Sequence, residues 1–216
     1  MNNMEYLKCI IRSGLFDGID RKDYLRAFED LRVSGKNMRK DEVVFYEDDK
    51  VDKICIVNRG SVRGEKTYIS GEMHIVDFYE EGKIFALDES VSKLGTSAMD
   101  YICNEDSSIV YISLKTVKAL FCSERIMEVL MRKLADENIR KMYKIEILAE
   151  RSLRERILLY LNVLRKKSGS DTVHVNMGRE QLARFLCVNR SALSNELNKM
   201  KREGIIDFSK HEFTLR

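Results

Sequence analysis

No proline occurs in the 216 residues, so no helix in this chain is obliged to end for want of a backbone N–H. Histidine is nearly as scarce: His74, His174 and His211 are too scattered to supply a metal site by spacing. Cys9, Cys55, Cys103, Cys122 and Cys187 are odd in number, widely separated and never in a C-x-x-C pair. That argues against a disulfide framework or a zinc site and for small apolar core residues. No window approaches the roughly 18 unbroken apolar residues of a membrane span. The start, MNNMEYLKCIIRSG, lacks both a basic n-region and a small-residue cleavage site. A cytoplasmic protein without a membrane partner is expected. No Gly-x-Ser-x-Gly, glycine-rich phosphate loop or carboxylate pair stands out, so the chain is not expected to be an enzyme.

What is present is unevenly charged. Residues 151–216 hold 14 Lys and Arg against 7 Asp and Glu, so the last third is net positive while the remainder is slightly acidic. A basic module joined to a separate sensing or assembly domain has this signature, and nucleic acid is the natural partner of the basic part.

Met4 to Leu31 carries apolar residues at helical spacing, enough for two short helices. From Val43 the texture becomes VVFY, KICIVN, GSVRGEKTYI, MHIVDFYEEG and SSIVYIS, short β-branched and aromatic runs separated by turn residues. Strands so close together, with no helices between them, predict an antiparallel sandwich or barrel. After Ser113 the period is helical to about Lys167. Met131, Leu134, Asn138, Met142, Ile145 and Ala149 form a narrow stripe between charged flanks, the pattern of a helix that pairs with a second copy. Asn138 within that stripe either sets the register of such a homodimer or is simply an exposed residue at the edge of an ordinary helix. Ser152-Leu-Arg-Glu155 reads as a capping box opening a new helix, with the hinge near Glu150 to Ser152 and a glycine stop at Gly169.

The most informative segment is GREQLARFLCVNRSALSNELNKMKREGIIDF, Gly178 to Phe208. Leu182, Ala183 and Leu186 line one face of a short helix, and Leu193, Leu197 and Met200 line one face of a second. Cys187 to Asn189 connect them, and the small Ala183 permits the steep crossing of a helix-turn-helix. The second helix exposes Arg190, Ser191, Ser194, Asn195 and Asn198, polar groups suited to base edges and phosphates. IIDFS and HEFTL, joined around Lys210, form a wing able to lie along the DNA backbone.

The pattern from Arg179 to Ile206, together with Gly60, Gly71 and Gly82 in the strand region, resembles the Crp/Fnr superfamily of bacterial transcription regulators along almost the whole chain. The resemblance implies an α+β fold. Its parts are an N-terminal antiparallel β-roll of the cyclic-nucleotide-binding type (residues 1–116), a long dimerisation helix (117–150) and a C-terminal winged helix-turn-helix (151–216). By position it implies base contacts from Arg190, Ser191 and Asn195, and phosphate contacts from Gly178, Arg179 and Asn189. Asn195 stands where many relatives have arginine, so the preferred bases should differ. Cys187 replaces the usual turn glycine, which is tolerable where the backbone needs no positive φ. A double-stranded, pseudo-palindromic operator and a second copy of the chain are the implied partners, with RNA polymerase carried as a further candidate.

In cyclic-nucleotide-binding members a glutamate holds the ribose and an arginine neutralises the phosphate; Leu87 and Thr96 stand at those places. The candidate effector pocket therefore comprises His74, Gly82, Leu87, Thr96 and Ser97, and cyclic AMP is disfavoured because a buried phosphate would lack its cation. An iron–sulfur cluster is disfavoured because only Cys9 lies in the N-terminal region. Haem, through His74, is disfavoured because a lone histidine on an apolar strand is more often a hydrogen-bonded core residue. The competing reading is an effector-binding or enzymatic β-roll protein whose C-terminal domain holds a protein partner.

Overall fold

In the computed structural model, which describes residues 3–216, the chain divides into two compact units. Most of the first is formed by the residues up to Tyr68 and Val76–Asp136, and the second by Ile69–Ile75 and Glu137–Arg216.

The first unit begins with α1 (Asn3–Arg12), a 3-10 turn at Arg21–Asp23 and α2 (Tyr24–Asp30). The strands follow: β1 (Ser34–Met38), β2 (Val43–Phe45), β3 (Lys53–Arg59), β4 (Ser61–Thr67), β5 (Met73–Glu80) and β6 (Ile84–Phe85). Then come α3 (Leu87–Val91), β7 (Asp100–Cys103), β8 (Ser107–Ser113) and α4 (Leu114–Ala119). They make two four-stranded sheets, ordered β1-β8-β3-β6 and β2-β7-β4-β5. β3 explains why KICIVN shows no polar alternation. Cys55 and Val57 point into the roll, beside Tyr79, Phe85 and Tyr101, while Ile54 and Ile56 pack on the other side against α1, α2 and Val117. A strand covered on both faces needs apolar residues at every position.

The long helix differs from the expected 117–150. α4 ends at Ala119, Leu120 takes extended backbone (ψ 149°), and α5 runs Ser123–Ala149. The reason is geometric. At about 100° per residue, Val117 and Ile126 would face opposite sides of one continuous helix, yet both are buried in the same cluster with Leu120. The break brings all three to one core. Leu134 is also diverted, packing against that cluster, so Ala135 takes its place in the exposed stripe.

The second unit is built on the end of α5, α6 (Leu153–Ser168), β9 (Thr172–His174), α7 (Arg179–Phe185), α8 (Arg190–Arg202), β10 (Ile206–Ser209) and β11 (Glu212–Leu215). Its strands pair in the order β10-β11-β9. α6 starts with the expected capping box: Glu155 N–H donates to Ser152 Oγ (3.2 Å) and Ser152 N–H to Glu155 Oε2 (3.0 Å). Gly169, at φ 67°, closes it. Leu161, Leu182, Ala183, Leu193, Leu197 and Phe213 form the core. Among the described residues no helix is long and apolar enough to cross a membrane.

Candidate nucleic-acid interface and roll interior

α7 and α8 form the helix-turn-helix, and the turn is tight. Val188 N–H donates to Ala183 O (3.0 Å), with Ala183 itself 1% exposed, so a larger side chain there would hold the helices apart. The backbone at Cys187 is left-handed, φ 56°. The condition under which a cysteine was tolerable at this turn is therefore not met: the position has the conformation that favours glycine, and the side chain costs about 1–2 kcal/mol there.

Asn189 caps α8, its Oδ1 accepting from Ala192 N–H (2.7 Å) and from Ser191 Oγ (2.8 Å). Two residues expected to meet DNA are thus tied to each other at the start of the helix that presents the others. α8 buries Leu193, Leu197 and Met200 and exposes Arg190, Asn195, Asn198, Lys199 and Arg202, with Ser194 half-buried among them. Two carboxylates at this helix, Glu196 and Glu203, do not oppose a polyanion freely. Arg154 on α6 donates to Glu196 (2.6 Å) and to both oxygens of Glu203 (2.6 and 3.2 Å), and this hydrogen bonding holds the Glu203 carboxyl below its usual range. Arg190, Lys199 and Arg202 form no ion pair among the described residues, whereas Lys201 is engaged by Asp207 at 2.6 Å. At the wing tip Lys210 is exposed in a left-handed turn, φ 49°, between β10 and β11. Gly178 caps α7, its N–H donating to Gln181 Oε1 (2.9 Å), and Arg179 lies half-buried against the wing.

The five expected pocket residues have different surroundings. His74 belongs to the second unit, its Nδ1 2.8 Å from Cys187 Sγ. Leu87 is 7% exposed and joins the cluster beneath α1 and α2, not the roll interior. Thr96 is exposed, and Ser97 is buried with its hydroxyl donated to Met99 O (2.6 Å). Gly82 turns at φ 82°, where a Cβ would come within 3.2 Å of Arg12 Cγ. The physical reason is the end of the strand: β6 stops at Phe85, Ala86 turns through the left-handed region (φ 53°), and Leu87, the first residue of α3, is carried to the other core.

Sequence reasoning missed the group that does occupy the interior. Glu89, on α3, is 5% exposed; its Oε1 accepts from Tyr101 OH (2.8 Å), and its Oε2 has no hydrogen-bond partner among the described residues. Burial, and then the neighbouring Asp88, pushes its pKa up to about 7. Tyr101 packs 5.3 Å from Phe85 and 5.9 Å from Tyr79 between ring centroids. In the sequence LDESV the acid resembles any solvated helix residue. Arg154 was also missed, because its two partners lie 42 and 49 residues away.

Comparison with known proteins agrees with this architecture. Residues 36–124 match the family model of the cyclic nucleotide-binding domain, and residues 155–216 that of the Crp-like helix-turn-helix domain. The transcriptional regulatory protein btr of Bordetella pertussis is 23% identical over 184 residues, covering 82% of this chain and 75% of btr. Among solved structures, FixK2 of Bradyrhizobium japonicum is similar at a TM-score of 0.69 and 20% identity, covering 86% of this chain and 93% of FixK2. A CooA variant from Carboxydothermus hydrogenoformans gives 0.73 at 16% identity, over 94% and 89% of the respective chains.

Proposed function

The chain belongs to the Crp/Fnr superfamily of transcription regulators, and from that premise we propose that it reads a pseudo-palindromic operator as a homodimer, under an effector other than cyclic AMP. The observation that carries the reading is the outer face of α8. Arg190, Asn195, Asn198, Lys199 and Arg202 stand exposed there, and the neighbouring acids Glu196 and Glu203 are already paired to Arg154. Arg190 is the candidate for a bidentate contact to guanine, Asn195 and Ser194 for neighbouring base edges, and Lys199, Arg202 and Lys210 for phosphates.

The second copy is supported by α5. Met131, Ala135, Asn138, Met142, Ile145 and Ala149 recur at alternating spacings of four and three, the a/d rhythm of a paired helix. Met131, Met142 and Ile145 are 67%, 55% and 68% exposed in the single chain. A self-complementary stripe is covered economically by its own copy across a two-fold axis. Such a dimer sets equivalent recognition helices about one turn of DNA, roughly 34 Å, apart. Against cyclic AMP, the place of the ribose-binding glutamate holds a leucine that faces a different core, and Thr96 offers no cation to a cyclic phosphate.

Selection of bound duplexes from a random pool tests the central claim. Inverted half-sites one helical turn apart, bound with strong salt dependence, are expected; absence of DNA binding at low salt would refute it. Calorimetric titration with cyclic AMP should release no binding heat, and sedimentation at micromolar concentration should give a dimer.

A further inference from the structure

The wing and the start of α7 share an aromatic slot. Phe208 on β10 and Phe213 on β11 are register partners across the hairpin, their ring centroids 5.6 Å apart and their planes within 28°. The guanidinium carbon of Arg179 lies 4.8 Å from the Phe208 centroid and 4.9 Å from that of Phe213. Phe213 is 1% exposed and Phe208 half-buried, so the rings are a fixed floor and not mobile surface groups. From α8, Lys201 secures the same strand: its Nζ is 5.1 Å from the Phe208 centroid, 3.2 Å from Phe208 O and 2.6 Å from Asp207. Phe208 therefore ties together the first residue of α7, the end of the recognition helix and the wing.

Arg179 differs from Arg154 in having no anionic partner among the described residues. Its only contacts of this kind among the described residues are the two rings, and burial lowers its pKa from the ordinary arginine value. A ring face attracts a cation but takes none of its N–H donors, so the guanidinium keeps hydrogen-bonding capacity for a further acceptor. A half-buried cation held in place with its donors uncommitted is prepared for a bidentate oxyanion.

We propose that Phe208 is a positioning residue for DNA binding: with Phe213 it holds the Arg179 guanidinium ready for a backbone phosphate, without itself meeting the DNA. The inference rests on the reading of Arg179 as a phosphate contact. Lys201, spent on the wing, is by the same reasoning not a phosphate ligand, although its sequence neighbours suggest one.

The test uses the full-length protein and its selected operator, with dissociation constants measured by fluorescence anisotropy over a series of KCl concentrations. Phe208→Leu keeps apolar bulk and removes the ring face. It should weaken binding about 2- to 30-fold per half-site, the range of a cation–π contact, and should flatten the salt slope by about 0.9 per half-site. Phe208→Tyr should restore both. In an Arg179→Ala background Phe208→Leu should cost nothing further, whereas a merely structural wing residue would cost the same in either background. Equal costs in both backgrounds overturn the proposal. If Arg179→Ala leaves the salt slope unchanged, the reading of Arg179 as a phosphate contact fails and the proposal with it. If Arg179→Ala flattens the slope and Phe208→Leu does not, only the role of Phe208 fails. Should Phe208→Leu unfold the wing, Phe208→Met serves instead: it fills more of the space without a ring face, and wild-type affinity and salt slope in that variant would be equally fatal.

Discussion

Replacing Glu89 with glutamine should make the protein's stability less dependent on pH, and the size of the effect follows from the buried site. The glutamine keeps an oxygen for Tyr101 OH and removes a carboxyl whose Oε2 has no hydrogen-bond partner among the described residues. In the folded chain the Glu89 pKa is raised from 4.5 to about 7, chiefly by burial and secondarily by Asp88. The folded state therefore holds this proton more tightly than the unfolded state. The associated stability is fully present below about pH 4.5 and is lost as pH rises toward 7, by about 3 kcal/mol for a gap of this size. Glutamine cannot lose the proton, so the stability difference, variant minus wild type, should grow by up to about 3 kcal/mol across that window and then level off. Carboxylates that do not interact with Glu89 titrate alike in both proteins and cancel in the difference. Urea unfolding followed by circular dichroism at half-unit steps from pH 4.5 to 8 gives the comparison directly. A difference that stays flat through the window would mean that Glu89 is ionised at ordinary carboxylate pH, and the account of the roll interior would be wrong.

Other perturbations probe the remaining parts. Arg190→Ala should relax discrimination at one base pair per half-site by about 1–3 kcal/mol, measured by titrating single-substitution operators; unchanged discrimination removes Arg190 from base reading. Lys199→Ala or Arg202→Ala should weaken all sequences alike and reduce the salt slope by about 0.9 for each phosphate no longer neutralised, which an unaltered slope would contradict. Cys187→Gly should raise the unfolding free energy by about 1 kcal/mol by relieving the left-handed backbone at φ 56°; a drop in stability would show that the thiol's interaction with His74 outweighs the strain. Ile145→Glu should shift sedimentation from dimer to monomer and reduce operator affinity, while a persistent dimer would place the interface elsewhere.

Much of the fold was legible because its signals are local. Strand runs, the Ser152 capping box, the Gly169 stop and the two apolar helix faces of the Gly178–Phe208 segment each depend on residues within a few positions of one another. The same holds for the exposed side of α8, since a helix whose inner face is apolar leaves its polar residues nowhere else to point. The effector pocket was less legible. Its residues were aligned by position, but position along a roll does not decide which face a side chain takes once a short helix intervenes, as Leu87 shows by joining the other core.

The sequence by itself therefore determined the main run of elements, the basic terminal module and the polar outer face of α8, because periodicity and capping act over one or two turns of chain. Only tertiary structure decided the rest. It broke the long helix at Leu120 so that Val117 and Ile126 reach one core, buried Glu89 against Tyr101, neutralised Glu196 and Glu203 through Arg154, and set Arg179 against two rings of the wing. Each of these depends on groups made neighbours by packing, and the energy of a buried charge or a ring contact depends on what surrounds it in space, which spacing along the chain does not encode.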